Sequence, residues 1–188
     1  MPATSRKRNS KSRRGSANRS SKDAITLLKQ DHKEVKQLLK RLEATTDQKT
    51  DERERLLAQI ENEVKAHTRI EEEIFYPAFK ESVEGKSDEH LYFEALEEHH
   101  VVDLVMPEIK AASTDSEEFA AKAKVLKDLI EHHADEEEKQ MFPKARKAMG
   151  AAKLRELGEE LEERKHQLTS GTWGRAVETI TGRGGRVA

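Results

Sequence analysis

Apolar residues recur every three or four positions in successive stretches of the chain, which is the spacing of one face of an α-helix. The first predicted helix begins near Ser20, and three more follow after short polar connections. The second ends before Pro77 and the fourth before Pro143, because proline disfavours helix at the preceding residue. A fifth amphipathic stretch covers residues 151–167. The pattern predicts an all-α fold, an up-down-up-down four-helix bundle with an extra C-terminal helix.

Charge divides the chain into three parts. Residues 1–22 contain eight basic and no acidic residues, and residues 169–188 contain three arginines and one glutamate. Because the whole chain has a formal charge of −2, residues 23–168 carry about −12. Both ends are also poor in apolar residues, so we predict a basic disordered tail over 1–22, a folded bundle over 23–168 and a Gly-rich flexible tail over 169–188.

The composition excludes several classes of protein. Charged residues make up 38% of the chain and aromatic residues 4%, which favours charged helices around a narrow apolar seam over a large sheet. The absence of cysteine excludes disulfides, thiolate metal sites and a cysteine nucleophile. Neither a membrane-spanning apolar run nor a signal-peptide core is found in the sequence. Cytoplasm is therefore the expected location.

Histidines interrupt the apolar faces of the four bundle helices. Each helix carries one such histidine: His32, His67, His99 and His133. The second and fourth helices add a glutamate one turn further along the same face: Glu71 and Glu137. A single inward histidine is more often an ordinary core residue than a ligand. A buried carboxylate, however, costs several kcal/mol unless it is paired or metal-bound, so the matched set indicates a bound cation.

The histidine and glutamate motif occurs twice in the chain. "AHTRIEEEIFYP" at 66–77 returns as "HHADEEEKQMFP" at 132–143, and "DHKEVKQLL" at 31–39 aligns with "EHHVVDLVM" at 98–106. The chain is therefore expected to form two matched hairpins related by a pseudo-two-fold axis. Six nitrogen and oxygen ligands from two halves suit two metal ions bridged by carboxylates. Imidazole and carboxylate without sulfur favour iron, manganese or zinc.

These motifs are similar to a known family. The ordered set H…HxxxE…H…HxxxE, spread over residues 24–145, resembles the hemerythrin-like HHE cation-binding family. The resemblance implies a non-haem di-iron centre with two iron ions, oxo- or hydroxo-bridged, that binds oxygen or related small molecules; manganese and zinc are less favoured. The metal ligands it implies are His32, His67, Glu71, His99, His133 and Glu137.

One position departs from the family pattern. Hemerythrins carry a further histidine one turn before the third-helix ligand, where this chain has Ala95. Tyr92 is the candidate replacement, and His132 is the candidate substitute ligand if the fourth helix is rotated. The altered ligand set disfavours reversible oxygen carriage. The carboxylates that flank the signatures are expected mainly on solvated faces, with some orienting the imidazoles: Glu72, Glu73, Glu136 and Glu138.

Two classes of function follow from these observations. The first is a protein that binds or senses O2, NO or peroxide without turnover. The second is a di-iron enzyme that removes peroxide, catalase-like or an oxidase, or a protein that handles iron. Nucleic acid is expected to bind, if at all, through the basic amino-terminal tail, although a solvated tail is the favoured interpretation. The leucines of the fifth stretch fit either a homodimer contact or a cover over the bundle.

Overall fold

All regular structure in the described part of the chain is helical. The computed structural model describes residues 22–170. The α-helices are α1 (Ala24–Glu43), α2 (Thr50–Ile70), α3 (Tyr76–Ser82), α4 (Lys86–Ala111), α5 (Glu117–Glu136) and α6 (Phe142–Ser170), with π-helical turns at Glu71–Phe75 and Glu137–Met141. The all-α prediction is confirmed. The predicted tails lie outside the described residues, apart from Lys22 and the end of α6.

The bundle has four antiparallel helical segments, which we call legs. They are α1, then α2 with its π-turn and α3, then α4, then α5 with its π-turn and the first part of α6. The α1 helix begins at Ala24, because the Asp23 carboxylate accepts a hydrogen bond from the Thr26 amide at 2.8 Å and caps the helix there. Ser20, near which the sequence predicted the start, lies outside the described residues. None of the helices that the structure describes combines the length and apolar composition needed to cross a bilayer.

The helical legs do not end at the prolines as predicted. Each π-turn closes with a bond across five residues, from the Tyr76 amide to the Glu71 carbonyl and from the Phe142 amide to the Glu137 carbonyl. Pro77 then falls in the first turn of α3, where its missing N–H is tolerated. Both legs therefore continue past their prolines, and each π-turn begins at a glutamate of the predicted metal site.

Two apolar clusters fill the bundle, and a polar layer separates them. On α1, Leu28 belongs to one cluster and Val35 to the other, with buried His32 between them. The aromatic-rich cluster at one end includes Phe75, Phe79 and Phe142, whereas the other is mostly aliphatic. The polar layer is therefore a plane across the bundle, enclosed by packed apolar side chains above and below.

The C-terminal part of the chain covers the bundle. Within α6 the backbone turns at Gly150, which has φ 73° and ψ 170°, so residues 151–170 form a separate helical stretch that we call the terminal helix. Its leucines at 154, 157 and 161 are buried against α1 and the aromatic-rich cluster. Of the two interpretations left open by the sequence, these leucines fit the cover over the bundle.

The terminal helix approaches the start of α1 closely at Gly158. A Cβ atom here would overlap the Lys22 carbonyl oxygen and lie 3.0 Å from the Ala24 amide nitrogen. Both contacts are backbone, which cannot swing aside as a flexible side chain does. The chain therefore keeps glycine inside a helix, despite a propensity cost of about 1 kcal/mol relative to alanine.

We expect Gly158→Ala to destabilise the protein by about 1–3 kcal/mol, because the added methyl group overpacks this contact. The melting temperature should fall by about 3–8 °C for a chain of this size. Thermal unfolding followed by circular dichroism measures this change, with Glu160→Ala on the exposed face of the same helix as control. A rise in melting temperature, as helix propensity alone predicts, would contradict the close approach.

Candidate metal centre

All six predicted site residues meet in the polar layer. They come from four legs of the bundle, and no residue of the set is more than 6% exposed: His32, His67, Glu71, His99, His133 and Glu137. Each histidine points its Nε2 atom into the layer, where the two glutamates lie between the histidine pairs. The structure thus brings together the whole set that the repeat predicts; that these atoms bind metal in this arrangement remains a prediction.

One half of the layer groups four potential ligands. His32 Nε2 lies 3.1 Å from His67 Nε2 and 3.1 Å from Glu137 Oε2. His67 Nε2 lies 3.2 Å from Glu71 Oε2. One ligand atom from each of these four side chains falls within 4.8 Å of the others, which is close enough to share a single cation.

The other half groups a second histidine pair around the same glutamates. His99 Nε2 lies 3.2 Å from His133 Nε2 and 3.4 Å from Glu71 Oε2. His133 Nε2 lies 3.7 Å from Glu137 Oε2. Glu71 therefore belongs to both groups of potential ligands, and Glu137 contacts a histidine of each. Two central carboxylates between two histidine pairs are an arrangement in which each carboxylate can bridge two cations.

Unpaired atoms in this layer fit a bound cation. Glu71 Oε1 and Glu137 Oε1 are buried without a hydrogen-bond partner, whereas Glu137 Oε2 lies 3.1 Å from His32 Nε2. A buried polar atom left unsatisfied costs about 1–3 kcal/mol, and more when it is charged. A divalent cation accepts these lone pairs directly, and imidazole with carboxylate is the donor set that iron, manganese and zinc prefer. The residues present therefore fit a metal centre.

Protons occupy the layer when no cation does. Burial opposes protonation of His32, but hydrogen bonds to Glu137 and Glu138 outweigh it and raise its pKa to about 9. Burial lowers the pKa of His67 to about 4, so this imidazole is neutral. Burial and the charge of Glu137 raise the pKa of Glu71 well above its ordinary value. Burial would also raise the pKa of Glu137, but the charges of His133 and His32 hold it below its ordinary value. Metal binding must therefore displace the second proton of His32.

Carboxylates outside the layer orient three of the four histidines. The Nδ1 atom lies within hydrogen-bond distance of one carboxylate in each of these three: Glu138 for His32 at 3.1 Å, Glu72 for His99 at 2.9 Å and Glu98 for His133 at 2.8 Å. His67 Nδ1 lies 3.6 Å from Asp31 Oδ2, beyond hydrogen-bond distance. An ionised carboxylate only accepts, so Nδ1–H donates and Nε2 keeps its lone pair for a metal. Glu72 and Glu138 are thus the flanking carboxylates that orient imidazoles, as was expected of some of the four. The expectation of a solvated face suits Glu73, which binds Arg164 at the surface.

We expect Glu72→Ala to weaken metal binding by roughly 10–100-fold, because His99 loses the partner that fixes its ring and tautomer. Competition against a chromogenic chelator measures the dissociation constant. Glu73→Ala is the matched control, since the neighbouring carboxylate contacts arginines at the surface and no histidine of the layer. Equal affinities for the two variants would mean that the Nδ1 contact does not orient the ligand.

Tyr76 enters the layer, and Tyr92 does not. The Tyr76 hydroxyl lies 3.3 Å from His99 Nε2 and 3.4 Å from Glu71 Oε2. Tyr92 packs its ring against Tyr76 and the Lys80 ammonium group. The π-turn explains the difference, since it places residue i+5 where an α-helix places residue i+4. A tyrosine five residues after a ligand and directly before a proline is the sequence signal that could have identified it.

His132 also lies outside the layer. Its side chain is 63% exposed and its Nε2 atom is 3.5 Å from Glu98 Oε1. The fourth leg is thus oriented so that His133, and not its neighbour, faces the two central glutamates. His100 is likewise exposed on α4.

Together the fold and the layer define a class of protein. It is a helical bundle in which histidines and carboxylates from four legs meet at one cation-binding centre. Residues 23–145 match the sequence model of the Hemerythrin HHE cation binding domain, and the chain belongs to this family. A crystal structure of a hemerythrin HHE cation binding domain-containing protein from Mycobacterium kansasii has a TM-score of 0.70 and 26% identity to it, covering 87% of this chain and 95% of that one.

The chain is also similar to a protein named for an activity on DNA. The DNA nickase of Nostoc sp. (strain PCC 7120) is 27% identical over 152 residues, which is 80% of this chain. The match spans 41% of the length of the nickase. The resemblance to the cation-binding family is thus confirmed, and the protein is a metal-binding, hemerythrin-like helical bundle.

Proposed function

We propose that the centre holds two non-haem iron ions and binds O2, NO or peroxide. His32 and His67 would hold one ion, His99 and His133 the other, and Glu71 would lie between them with Glu137. The observation that carries the proposal is the position of Glu71 in both groups of potential ligands. Bound iron would supply redox and Lewis-acid chemistry.

The chain's own residues restrict the ligand to a small molecule. The centre is enclosed by two apolar clusters, and its six side chains are almost fully buried. Six protein ligands shared by two ions leave coordination positions open. Ala95 adds to this space, because it offers no ligand where related proteins carry a histidine. A diatomic molecule or peroxide is the size of ligand that such a site admits.

A peroxide-removing enzyme is the alternative that Tyr76 favours. Its hydroxyl group contacts Glu71 and His99, so a proton donor lies beside two of the residues that would hold the second iron. Burial, with the charges of Glu137 and Glu71, raises the pKa of Tyr76 well above its ordinary value and keeps the hydroxyl protonated. General acid catalysis needs a donor within hydrogen-bond reach of the reacting group, which Tyr76 would supply to a molecule bound at that iron. Iron handling without turnover is the remaining alternative.

Metal content with an optical spectrum is the experiment that tests the proposal. Protein purified from iron-replete cells should contain about two irons per chain, with an absorption band that fades on reduction and changes when NO is added. Steady hydrogen peroxide consumption that is lost in Tyr76→Phe at unchanged iron content would favour the enzyme. Absence of metal from the wild-type protein would overturn both.

Contact with DNA is a second candidate, favoured by two observations. Residues 1–22 carry eight positive charges and no negative charge, and the chain is related to a DNA nickase. Basic residues that neutralise phosphates release counterions, so affinity should fall steeply with salt. Binding of duplex DNA by the full chain, compared with a variant whose Arg and Lys residues at 6–14 are glutamine, tests this. Equal affinity in the two proteins would exclude the tail as the contact.

A further inference from the structure

The two repeated halves of the bundle differ in the size of one side chain next to the metal layer. In the internal repeat Ala95 of α4 corresponds to Leu28 of α1, which is fully buried. The smaller side chain leaves a crevice of about 10 Å³, bordered by Ala95, Glu98, Glu136 and Glu137. This is about the volume that one water molecule or one desolvated ion occupies. The crevice thus connects a central glutamate of the metal layer with two carboxylates near the surface.

A second group of potential ligands lies at the outer end of this crevice. His132 Nε2 is 3.5 Å from Glu98 Oε1 and 3.9 Å from Glu136 Oε1. One ligand atom from each of the three falls within 4.8 Å of the others. Glu98 links this group to the centre, because its other oxygen accepts a hydrogen bond from His133 Nδ1 at 2.8 Å.

The buried end of the crevice supplies an independent indication of a ligand. Glu137 is 2% exposed and borders the same crevice, and its Oε1 atom is buried without a hydrogen-bond partner, whereas its Oε2 atom lies 3.1 Å from His32 Nε2. A cation that entered past Glu98 and Glu136 would therefore meet an unpaired oxygen at the inner end. The crevice thus has potential ligands at both ends, Glu98 and Glu136 towards the surface and Glu137 in the polar layer.

The corresponding position in the first half of the bundle is built differently. Glu98 corresponds there to Asp31, which binds the Lys165 ammonium of the terminal helix at 2.8 Å. His132 and Glu136 correspond to Ala66 and Ile70, both buried. At the equivalent position the carboxylate of Asp31 is thus neutralised by Lys165 of the terminal helix, and the neighbouring residues Ala66 and Ile70 are apolar and buried. The repeat itself shows that the histidine and glutamate at the surface are not needed to build a leg of the bundle.

We propose that Glu98, His132 and Glu136 form a surface site for hydrated divalent cations, through which the buried centre is loaded. The inference rests on the proposed metal function and adds a second site and a direction of entry to it. One imidazole and two carboxylates suit a first-row divalent ion, and the partial exposure of all three allows it to arrive with water still bound. Glu98 then lies on the path from this site to His133.

The loading rate of metal-free protein tests the proposal. Stopped-flow mixing with Co2+ follows the absorption of the centre in wild type, in the double variant His132→Gln/Glu136→Gln, and in the control Glu162→Gln/His166→Gln on the exposed terminal helix. A cleft lined with carboxylates raises cation on-rates by about 10–1,000-fold, so we expect the double variant to load at least about tenfold more slowly. The control should load as wild type, and all three should reach the same final Co2+ content.

Further measurements separate the surface site from the centre. Equilibrium dialysis should detect one weak Co2+ beyond those of the centre in wild type and not in the double variant. Ala95→Leu, which copies Leu28 and fills the crevice, should also slow loading while the protein remains folded by circular dichroism. Equal loading rates with normal final Co2+ content would overturn the entry route and leave the centre intact. A wild-type protein that binds no Co2+ would instead overturn the proposed metal function itself.

Discussion

Removal of the bound metal is expected to lower the melting temperature of the wild-type protein by about 10 °C. A ligand present at 1,000 times its dissociation constant stabilises the native state by about 4 kcal/mol. Each kcal/mol shifts the melting temperature of a chain of this size by about 2–4 °C. The physical cause lies in the polar layer, where the carboxylate oxygens of Glu71 and Glu137 lose the cation that satisfies them.

Scanning calorimetry with and without a chelator measures this shift, together with metal content at each step. His67→Ala should shift less on addition of the chelator than wild type does, because the first group of ligands has lost a member while the second is intact. His166→Ala, on the exposed face of the terminal helix, should respond as wild type. A wild-type melting temperature that does not move when metal is removed would show that the layer is stable without a cation.

Helical periodicity was sufficient to predict the four histidines and two glutamates of this layer, but not Tyr76. His32, His67, His99 and His133 interrupt apolar seams at positions that recur with offsets of 66 or 67, and a helix directs residues three and four apart to the same face. The structure places all four together because the seams of an antiparallel bundle converge on one axis. The bundle architecture follows from the same spacing, since the apolar faces must be buried against each other.

Where the backbone departs from an ideal α-helix, sequence periodicity gave the wrong answer. The π-turns shift the face of every residue that follows, so Tyr76 reaches the layer and the legs continue past both prolines. Glu72 and Glu138 are adjacent in sequence to central glutamates and point about 100° away from them. Periodicity places such residues in solvent. Their actual partners, His99 and His32, belong to other legs and are revealed only by the packing.

The polar layer therefore has opposite effects on stability in the two metal states. Without metal it places protonated and unpaired groups in the middle of the core, which opposes folding. With metal the same groups become ligands and contribute to folding through the binding free energy. Glu71 is the side chain on which this reversal should be most visible, because it is fully buried, belongs to both groups of ligands and has one oxygen unpaired.

Glu71→Leu is accordingly expected to raise the melting temperature of the metal-free protein and to lower that of the protein in saturating metal. Replacing buried charged or polar groups by apolar ones of similar volume is often neutral or stabilising by about 1–4 kcal/mol. This corresponds to a gain of about 5 °C in chelator for a chain of this size. In saturating metal the variant lacks the shared ligand, so it forgoes most of the stabilisation that wild type gains.

Thermal unfolding of wild type and variant in chelator and in excess metal gives the four temperatures that decide this prediction. Glu162→Leu on the exposed terminal helix is the matched control, and it should change stability by no more than about 0.5 kcal/mol in either condition. Glu71→Leu should melt at a higher temperature than wild type in chelator and at a lower temperature than wild type in excess metal. A metal-free variant that melts below wild type would mean that the Glu71 carboxyl group stabilises the empty layer, through the contacts with Tyr76 and His67 that the structure records. The layer would then be a self-sufficient hydrogen-bonded core, and the metal would add to a stability that the side chains already supply.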